Sequence, residues 1–384
     1  MKTDETTQAN ESNEGQRVLI SGASFAGVTT AIWMQRLGYR VTIVELAAGP
    51  RTGGTPVDLH EDSIAIAKRI GVFEAIMEKV LPPRATEFAE IDGTPIPRGG
   101  GDDAKAYGGV VEDYEIHRED LLAILFAALG DSVEVIYKNS ISALVDIADG
   151  VHVSFREGPD RDFAMVLGCD GNHSNVRALR FGPEREYSHF LHNYFSVAVV
   201  DGVFITPSTT RIQNTPGRTV MLNSYEDATD IVLAFHADDE IEYDYHDVDE
   251  QKRLLRKHFA NADKPLADLV DRALDADNFY FDKLSQIRMP LWTSGRVALV
   301  GDAGYCPSPA AGMGGSIAIR GATALYDAFL DADGDIGSAF ASYERNFHAT
   351  ADRIQAETEA FGAPMIFPDT VEAISARNAQ LLDY

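Results

Sequence analysis

The pattern of apolar and polar positions opens on a short hydrophobic run, Arg17–Ser21 (RVLIS), that leads straight into Gly22. A helical pattern follows over 26–37, and a second apolar run, RVTIVE, covers 40–45. Strand, tight turn, helix and strand within about thirty residues form the unit from which parallel sheets are wound. Apolar residues at Ile64, Ile66, Ala67, Ile70, Phe73, Ile76 and Met77 predict one helix over 63–80, and another is expected over 119–129. Then the period changes. Segments 133–137, 140–147, 151–156 and 163–168 read as short strands, with Ala148-Asp149-Gly150 as a hairpin turn between the middle two. The stretch from about Phe190 to Phe235 is mostly strand-like, with turn clusters at 206–209 and 215–218, and 252–273 returns to helix. RVALVG at 296–301 reads as one more buried strand, and 316–330 and 338–362 read as helices.

A parallel-type start, a β-rich interruption and a return to a parallel-type strand near residue 300 predict an α/β fold. Its main part is a Rossmann-like nucleotide-binding domain, a parallel sheet plus a β-meander, assembled from 17–80, 106–180 and 285–333. An inserted β-sheet domain for substrate takes 81–105 and 181–284, and 334–384 form a long C-terminal helical segment. Gly99-Gly100-Gly101-Asp102-Asp103 reads as a flexible break. The length of 384 residues suits two lobes, because single cores stop growing at about 250–300 residues.

Composition narrows the function classes. With 60 acidic against 33 basic residues the formal charge is −27, a surface that repels phosphate backbones and argues against nucleic acid as a partner. No run of about 18 apolar residues predicts a membrane span. Residues 1–16 are polar and acidic, lack the order of a secretory signal, and read as a disordered lead-in. The two cysteines, Cys169 and Cys306, form no CxxC pair, which speaks against a disulfide framework or thiolate cage and suits a reducing cytoplasm. His189 and His192 stand three apart, as on a helix face, but no third ligand accompanies them, so no metal is expected. No Ser-His-Asp set or paired-carboxylate signature emerges. A monomer or weak homodimer is anticipated.

Three separated segments carry the chemistry. Gly22-Ala23-Ser24-Phe25-Ala26-Gly27 follows a strand and opens a helix: Gly22 permits the turn, Gly27 the close approach of helix and strand, and the free N–H groups face a pyrophosphate. Ser24 replaces the middle glycine and adds a Cβ. Glu45, 18 residues after Gly27, is placed to accept from a ribose diol. A serine-hydrolase elbow fails here, because GxSxG requires glycine where Ala26 stands. The second segment, Asp170-Gly171-Asn172-His173-Ser174-Asn175-Val176-Arg177, follows a strand and matches DGxxSxVR. The third is Gly301-Asp302-Ala303, ending a strand and followed by Pro307, Pro309, Gly312, Gly314 and Gly315.

Together these segments resemble the marks of the group A flavin monooxygenases, para-hydroxybenzoate hydroxylase-like enzymes, over nearly the whole chain from residue 17. The resemblance implies FAD as cofactor, with the GDA aspartate, Asp302, on its ribitol and the segment holding Pro309 and Gly312 beside the isoalloxazine ring. Gly312, Gly314 and Gly315 leave main-chain N–H groups uncovered at a helix start, where negative charge on reduced flavin is stabilised. Arg118, in EIHREDL, looks like the arginine of the family's R-x-x-L element and would reach the flavin side. The stretch Gly53-Gly54-Thr55-Pro56-Val57-Asp58-Leu59, with Asp58, resembles one found in tetracycline-inactivating monooxygenases. Two positions depart from the family pattern: Tyr305 stands where histidine is frequent, and Ser316 where asparagine is.

The same resemblance implies that NAD(P)H, docking transiently, reduces the flavin. O₂ then adds to give a C4a-hydroperoxide, which oxygenates an electron-rich aromatic or polycyclic substrate, with polyketide and tetracycline-like compounds the leading class. No catalytic side chain is required of the protein, since the cofactor carries the chemistry. Substrate is expected between the ring and the β lobe, with Phe195, Phe204, Arg211, Met221, Tyr225 and Phe235 as candidate lining residues. Each of these also fits a plain packing role, and Arg211 an exposed one. Two alternatives stay open: a flavin-dependent reductase or dehydrogenase of the same fold, and a non-catalytic dinucleotide-binding redox sensor.

Overall fold

The structure, a computed structural model, describes residue 13 and residues 15–50, 55–90, 93–96 and 114–382. The segment with Gly53 and Gly54, the 99–103 break and most of the lead-in lie outside the described residues. Asn13, assigned to that lead-in, is instead buried and donates to the Leu37 carbonyl over 3.3 Å.

The first lobe is built on a six-stranded sheet. Its centre is β1 (Arg17–Ser21), flanked in parallel by β2 (Arg40–Val44) and β10 (Met165–Gly168). Outside these, β6 (Glu134–Ile136) pairs with β2 and β17 (Val297–Leu299) with β10, also in parallel, and β16 (Thr293–Ser294) closes one edge antiparallel. Val18, Leu19 and Ile20 are wholly buried, as expected of a parallel strand covered on both faces. Helix α1 (Phe25–Arg36) covers this sheet and packs on α9 (Gly314–Asp331), where Trp33 stacks on Tyr326 at 4.4 Å and donates to Thr323 Oγ1 over 3.0 Å. The predicted meander is a three-stranded sheet of β7 (Ile141–Ile147), β8 (Gly150–Phe155) and β9 (Arg161–Phe163). A small hairpin, β3 (Val57–Leu59) with β5 (Tyr114–Ile116), leads into α4 (Arg118–Ala127).

The second lobe is a sheet in the order β15–β11–β14–β13–β12–β4. It joins β11 (Ser188–Asp201), β12 (Thr209–Thr215), β13 (Arg218–Ser224), β14 (Ala228–His236) and β15 (Tyr280–Ile287) to β4 (Ala85–Ala89), which runs parallel to β12. Helices α6 (Val248–His258) and α7 (Lys264–Asp275) cover its outer face, burying Tyr194, Leu233 and Phe235 against Leu255, Val270 and Leu274. The inner face, with Phe195 and Met221, turns toward the first lobe and toward α11 (Ala363–Ile366) and α12 (Val371–Leu382).

Three helices differ from their periodicity. The helix expected over 63–80 is two, α2 (Glu61–Ile70) and α3 (Phe73–Met77), because Gly71 takes φ 89 and ends the first in a left-handed cap. The one expected over 252–273 divides into α6 and α7, since Asp263 caps the second through the Leu266 N–H and Pro265 occupies its first turn. The C-terminal helix, α10 (Ile336–Glu357), loosens into a π turn over Thr358–Gly362 before α11. Strand β15 was not expected at all: YFDKLSQI is buried along nearly its whole length and shows no alternation.

Candidate active site

The first turn is shaped by two close approaches. Gly22 has φ 99, and a Cβ there would lie 2.4 Å from the Cys169 carbonyl oxygen; a Cβ on Gly27 would lie 1.9 Å from the Gly22 carbonyl oxygen. Only glycine fits either place. Glu45, just beyond β2, accepts from the Ala23 N–H over 2.8 Å and from the Ala47 N–H over 2.7 Å, so its carboxylate is anchored at the mouth of the turn.

The second segment begins at the end of β10. Asp170 accepts from the Ser21 and Ser174 hydroxyls and from the Val176 N–H, and burial pushes its carboxyl up. Those bonds make it the fastener between β1 and α5 (Asn175–Arg180), whose N-cap is Ser174. Arg177, wholly buried, donates to the Ala303 carbonyl over 3.0 Å and to the Asn172 carbonyl, so it ties the second segment to the third. The third segment opens α8 (Asp302–Tyr305). Gly301 has φ 71 and packs where a Cβ would meet Ala26 Cβ at 2.9 Å. Asp302 Oδ1 is shielded from solvent and has no hydrogen-bond partner among the described residues. Burial pushes its carboxyl up while the Arg118 guanidinium draws it back down. Arg118, at the start of α4, lies over the Phe25 ring at 4.7 Å.

Gly22, Ser24, Ala26, Glu45, Arg118, Asp170 and Asp302 line one cleft of about 1000 Å³, with Asp277, Asn278 and Tyr280 of the second lobe on its other wall. The sequence pointed to none of those last three, nor to Asn139 and Ser140, which also line the cleft. Phe25 and Gly27 are buried behind the turn. The glycine-rich segment sits elsewhere, against the β3–β5 hairpin. Pro309 is exposed in a single turn, Gly312 has φ 65, and Gly314 opens α9. A Cβ at Gly315 would meet Val57 at 3.3 Å, and the Ser316 hydroxyl donates to the Asp58 carbonyl over 2.7 Å.

Of the substrate candidates, the structure separates two faces. Phe195 and Met221 lie on the inner face. Tyr225 borders a recess of about 230 Å³ that it shares with His117, Arg118 and Asp230. Phe204, Arg211 and Phe235 do not line the cleft. Phe235 packs with Tyr194 under α6, stacked on His258 at 3.7 Å; Phe204 lies beneath Arg272; and Arg211 pairs with Glu87 beside α7. Strand alternation sends Arg211 and Phe235 to the helix-covered side, and Phe204, in the loop between β11 and β12, lies on that side too. His189 and His192 lie on β11, not on a helix; they meet Glu359 and the Asp238 carbonyl, and no group of metal-ligating side chains occurs among the described residues.

A buried polar network at the lobe junction escaped sequence reasoning. Arg84 pairs with Glu115 and lies over the Tyr225 ring at 5.0 Å, and the Tyr225 hydroxyl donates to Asp230 over 2.6 Å. Burial lifts the Glu115 carboxyl to about 7 even though Arg84 opposes the shift. These residues belong to three separate segments and share no spacing that a linear reading recognises.

The sequence matches the FAD binding domain family over residues 16–357. An uncharacterised protein of Mycobacterium tuberculosis is 36% identical over 348 residues, covering 88% of this chain and 91% of its own. A flavin-dependent monooxygenase of Legionella longbeachae is 29% identical over 342 residues, covering 88% and 87%. Among solved structures, tetracycline destructase Tet(51) superposes with a TM-score of 0.82 at 26% identity, over 96% of each chain. Two observations make the cleft fit FAD: the unpartnered carboxylate oxygen of Asp302, a ready acceptor for a hydroxyl, and a glycine turn that no Cβ could enter. Matched over most of its length, the chain belongs to the FAD binding domain family, among the flavin-dependent aromatic monooxygenases of the para-hydroxybenzoate hydroxylase-like group.

Proposed function

We propose that this chain hydroxylates an aromatic or polycyclic small molecule, with tetracycline-like polyketides the leading class, using FAD, NAD(P)H and O₂. The observation that carries the reading is the single cleft joining Gly22, Ser24, Ala26, Glu45, Asp170 and Asp302, from segments far apart in sequence. When bound there, FAD would supply the redox chemistry, taking a hydride from NAD(P)H and passing one atom of O₂ to the substrate and the other to water.

The chain's own residues do the rest. Main-chain N–H groups at the head of α1 would hold the pyrophosphate, Glu45 the ribose and Asp302 a ribitol hydroxyl. Arg118 would set a positive charge at the flavin side, and the segment from Pro309 to Gly315, against the β3–β5 hairpin, would flank the ring end of the cofactor. Phe195 and Met221 on the inner face of the sheet offer apolar surface to a flat substrate, while Tyr225 and Asp230 place polar groups at its margin. Resemblance to Tet(51) supports the polycyclic class.

The test is a screen of phenolic and polycyclic compounds, tetracyclines included, against purified holoenzyme with NADPH or NADH under isotopically labelled dioxygen. The reading expects substrate-stimulated cofactor oxidation and one labelled oxygen atom in the product. Substrate turnover without label in any product would replace it with the reductase alternative.

A further inference from the structure

We propose that Phe25 is a positioning residue for the cofactor site: its ring is the platform that fixes the Arg118 guanidinium. The proposal rests on the reading that Arg118 faces the flavin. A pyrophosphate turn of this kind requires glycine at 22 and 27 for close approach, but nothing in that geometry calls for an aromatic at 25. Phe25 is nonetheless 2% exposed and does not line the cleft. A point 3.5 Å from its Cδ2 is where a Cβ on Gly315 would fall, and Val57 Cγ1 reaches within 3.3 Å of the same point. Helix α1, strand β3 and the head of α9 therefore meet at this one ring.

Arg118 lies over the ring's face at 4.7 Å, at the first position of α4. An arginine side chain has many rotamers, and the planar guanidinium stacked on an aromatic face is held in few of them. The charge so held is the one that draws the buried Asp302 carboxyl down. Phe25 thus does not line the cleft, yet it governs where the positive charge beside Asp302 stands. A plain core filler behaves differently: any apolar side chain of similar volume replaces it.

Phe25→Leu keeps an apolar side chain and removes the face; Phe25→Tyr keeps the face. The measurements are the FAD dissociation constant by flavin fluorescence and the midpoint potential of the bound flavin, with apoprotein melting recorded alongside. Phe25→Leu is expected to weaken FAD about tenfold and to move the potential negative, while Phe25→Tyr stays within about twofold of the parent. In an Arg118→Gln background, adding Phe25→Leu is expected to change FAD affinity by less than about twofold, because the two residues act as one unit. An equal loss in both backgrounds, or none in either, overturns the proposal. Arg118→Gln with unchanged affinity and potential removes Arg118 from the cofactor and the proposal with it. That result differs from one in which Arg118→Gln weakens FAD and Phe25→Leu does not, which sinks the role of Phe25 alone. Should Phe25→Leu fail to fold, Arg118→Lys keeps the charge and the core but loses the planar stack. It is expected to reproduce the loss, and parent-like affinity and potential in that variant also overturn the proposal.

Discussion

Asp302 and Gly27 show how much single side chains decide here, one by what it lacks and the other by what it cannot gain. The unpartnered Asp302 oxygen is a buried acceptor awaiting a hydroxyl. Asp302→Ala should therefore weaken FAD binding by about 1.5–3 kcal/mol, the worth of a hydrogen bond to a charged group; titration calorimetry on the apoprotein checks it. Gly27→Ala should be worse than its single methyl suggests. That methyl would lie 1.9 Å from the Gly22 carbonyl, inside any tolerable contact. The variant is expected to purify with little or no flavin and a lowered melting temperature, and normal yellow protein would contradict the close approach. Both residues stand out in the sequence because each belongs to a dense local pattern. The substrate wall was far less legible. Phe204, Arg211 and Phe235 were named beside Phe195 and Met221, yet the two sets face opposite ways. Which way a strand residue points depends on register, and β11 carries an irregularity between Phe190 and Tyr194 that no composition rule announces.

At the scale of elements, the loop after β10 is clamped to β15 by His173. Its Nδ1 meets Glu184 at 2.8 Å and its Nε2 meets Asp282 at 3.0 Å, with Tyr245 stacked on the ring at 4.6 Å. Despite burial, the two carboxylates raise the imidazole to about 9, and His173 in turn holds both carboxyls below their usual range. A folded value above the unfolded one of about 6.5 means that the clamp stabilises fully below pH 6.5 or so and is lost as pH rises through about 9. Unfolding free energies from urea titrations should fall over that window by an amount on the order of 2–3 kcal/mol, and His173→Gln should be less stable at pH 6 and nearly flat across the window. Equal slopes in the two proteins would falsify the clamp. Capping offers a second check: Asp247 accepts from the Glu250 N–H at the head of α6, so Asp247→Ala should cost about 1 kcal/mol in urea melts. Caps went unread in the sequence, and the breaks at Gly71 and Asp263 were overridden by the apolar periodicity running through them. Nor did β15 announce itself, because a strand buried on both faces loses the alternation that identifies strands.

For the whole molecule, a formal charge of −27 is a standing self-repulsion. Melting temperature should rise as ionic strength goes from about 0.01 M to about 0.15 M, where the Debye length shrinks from about 30 Å to about 8 Å. A flat response would mean that the acidic groups are already locally neutralised. The architecture itself also sets how the two lobes are held together. Strand β4 leaves the first lobe to complete the second lobe's sheet beside β12, long before the chain departs again for β11 to β15. The two halves are thus sewn together twice rather than joined by one tether, which restrains either half from tumbling freely against the other. A protease cutting between the halves should therefore leave fragments that stay associated, each holding a strand of the other's sheet in place.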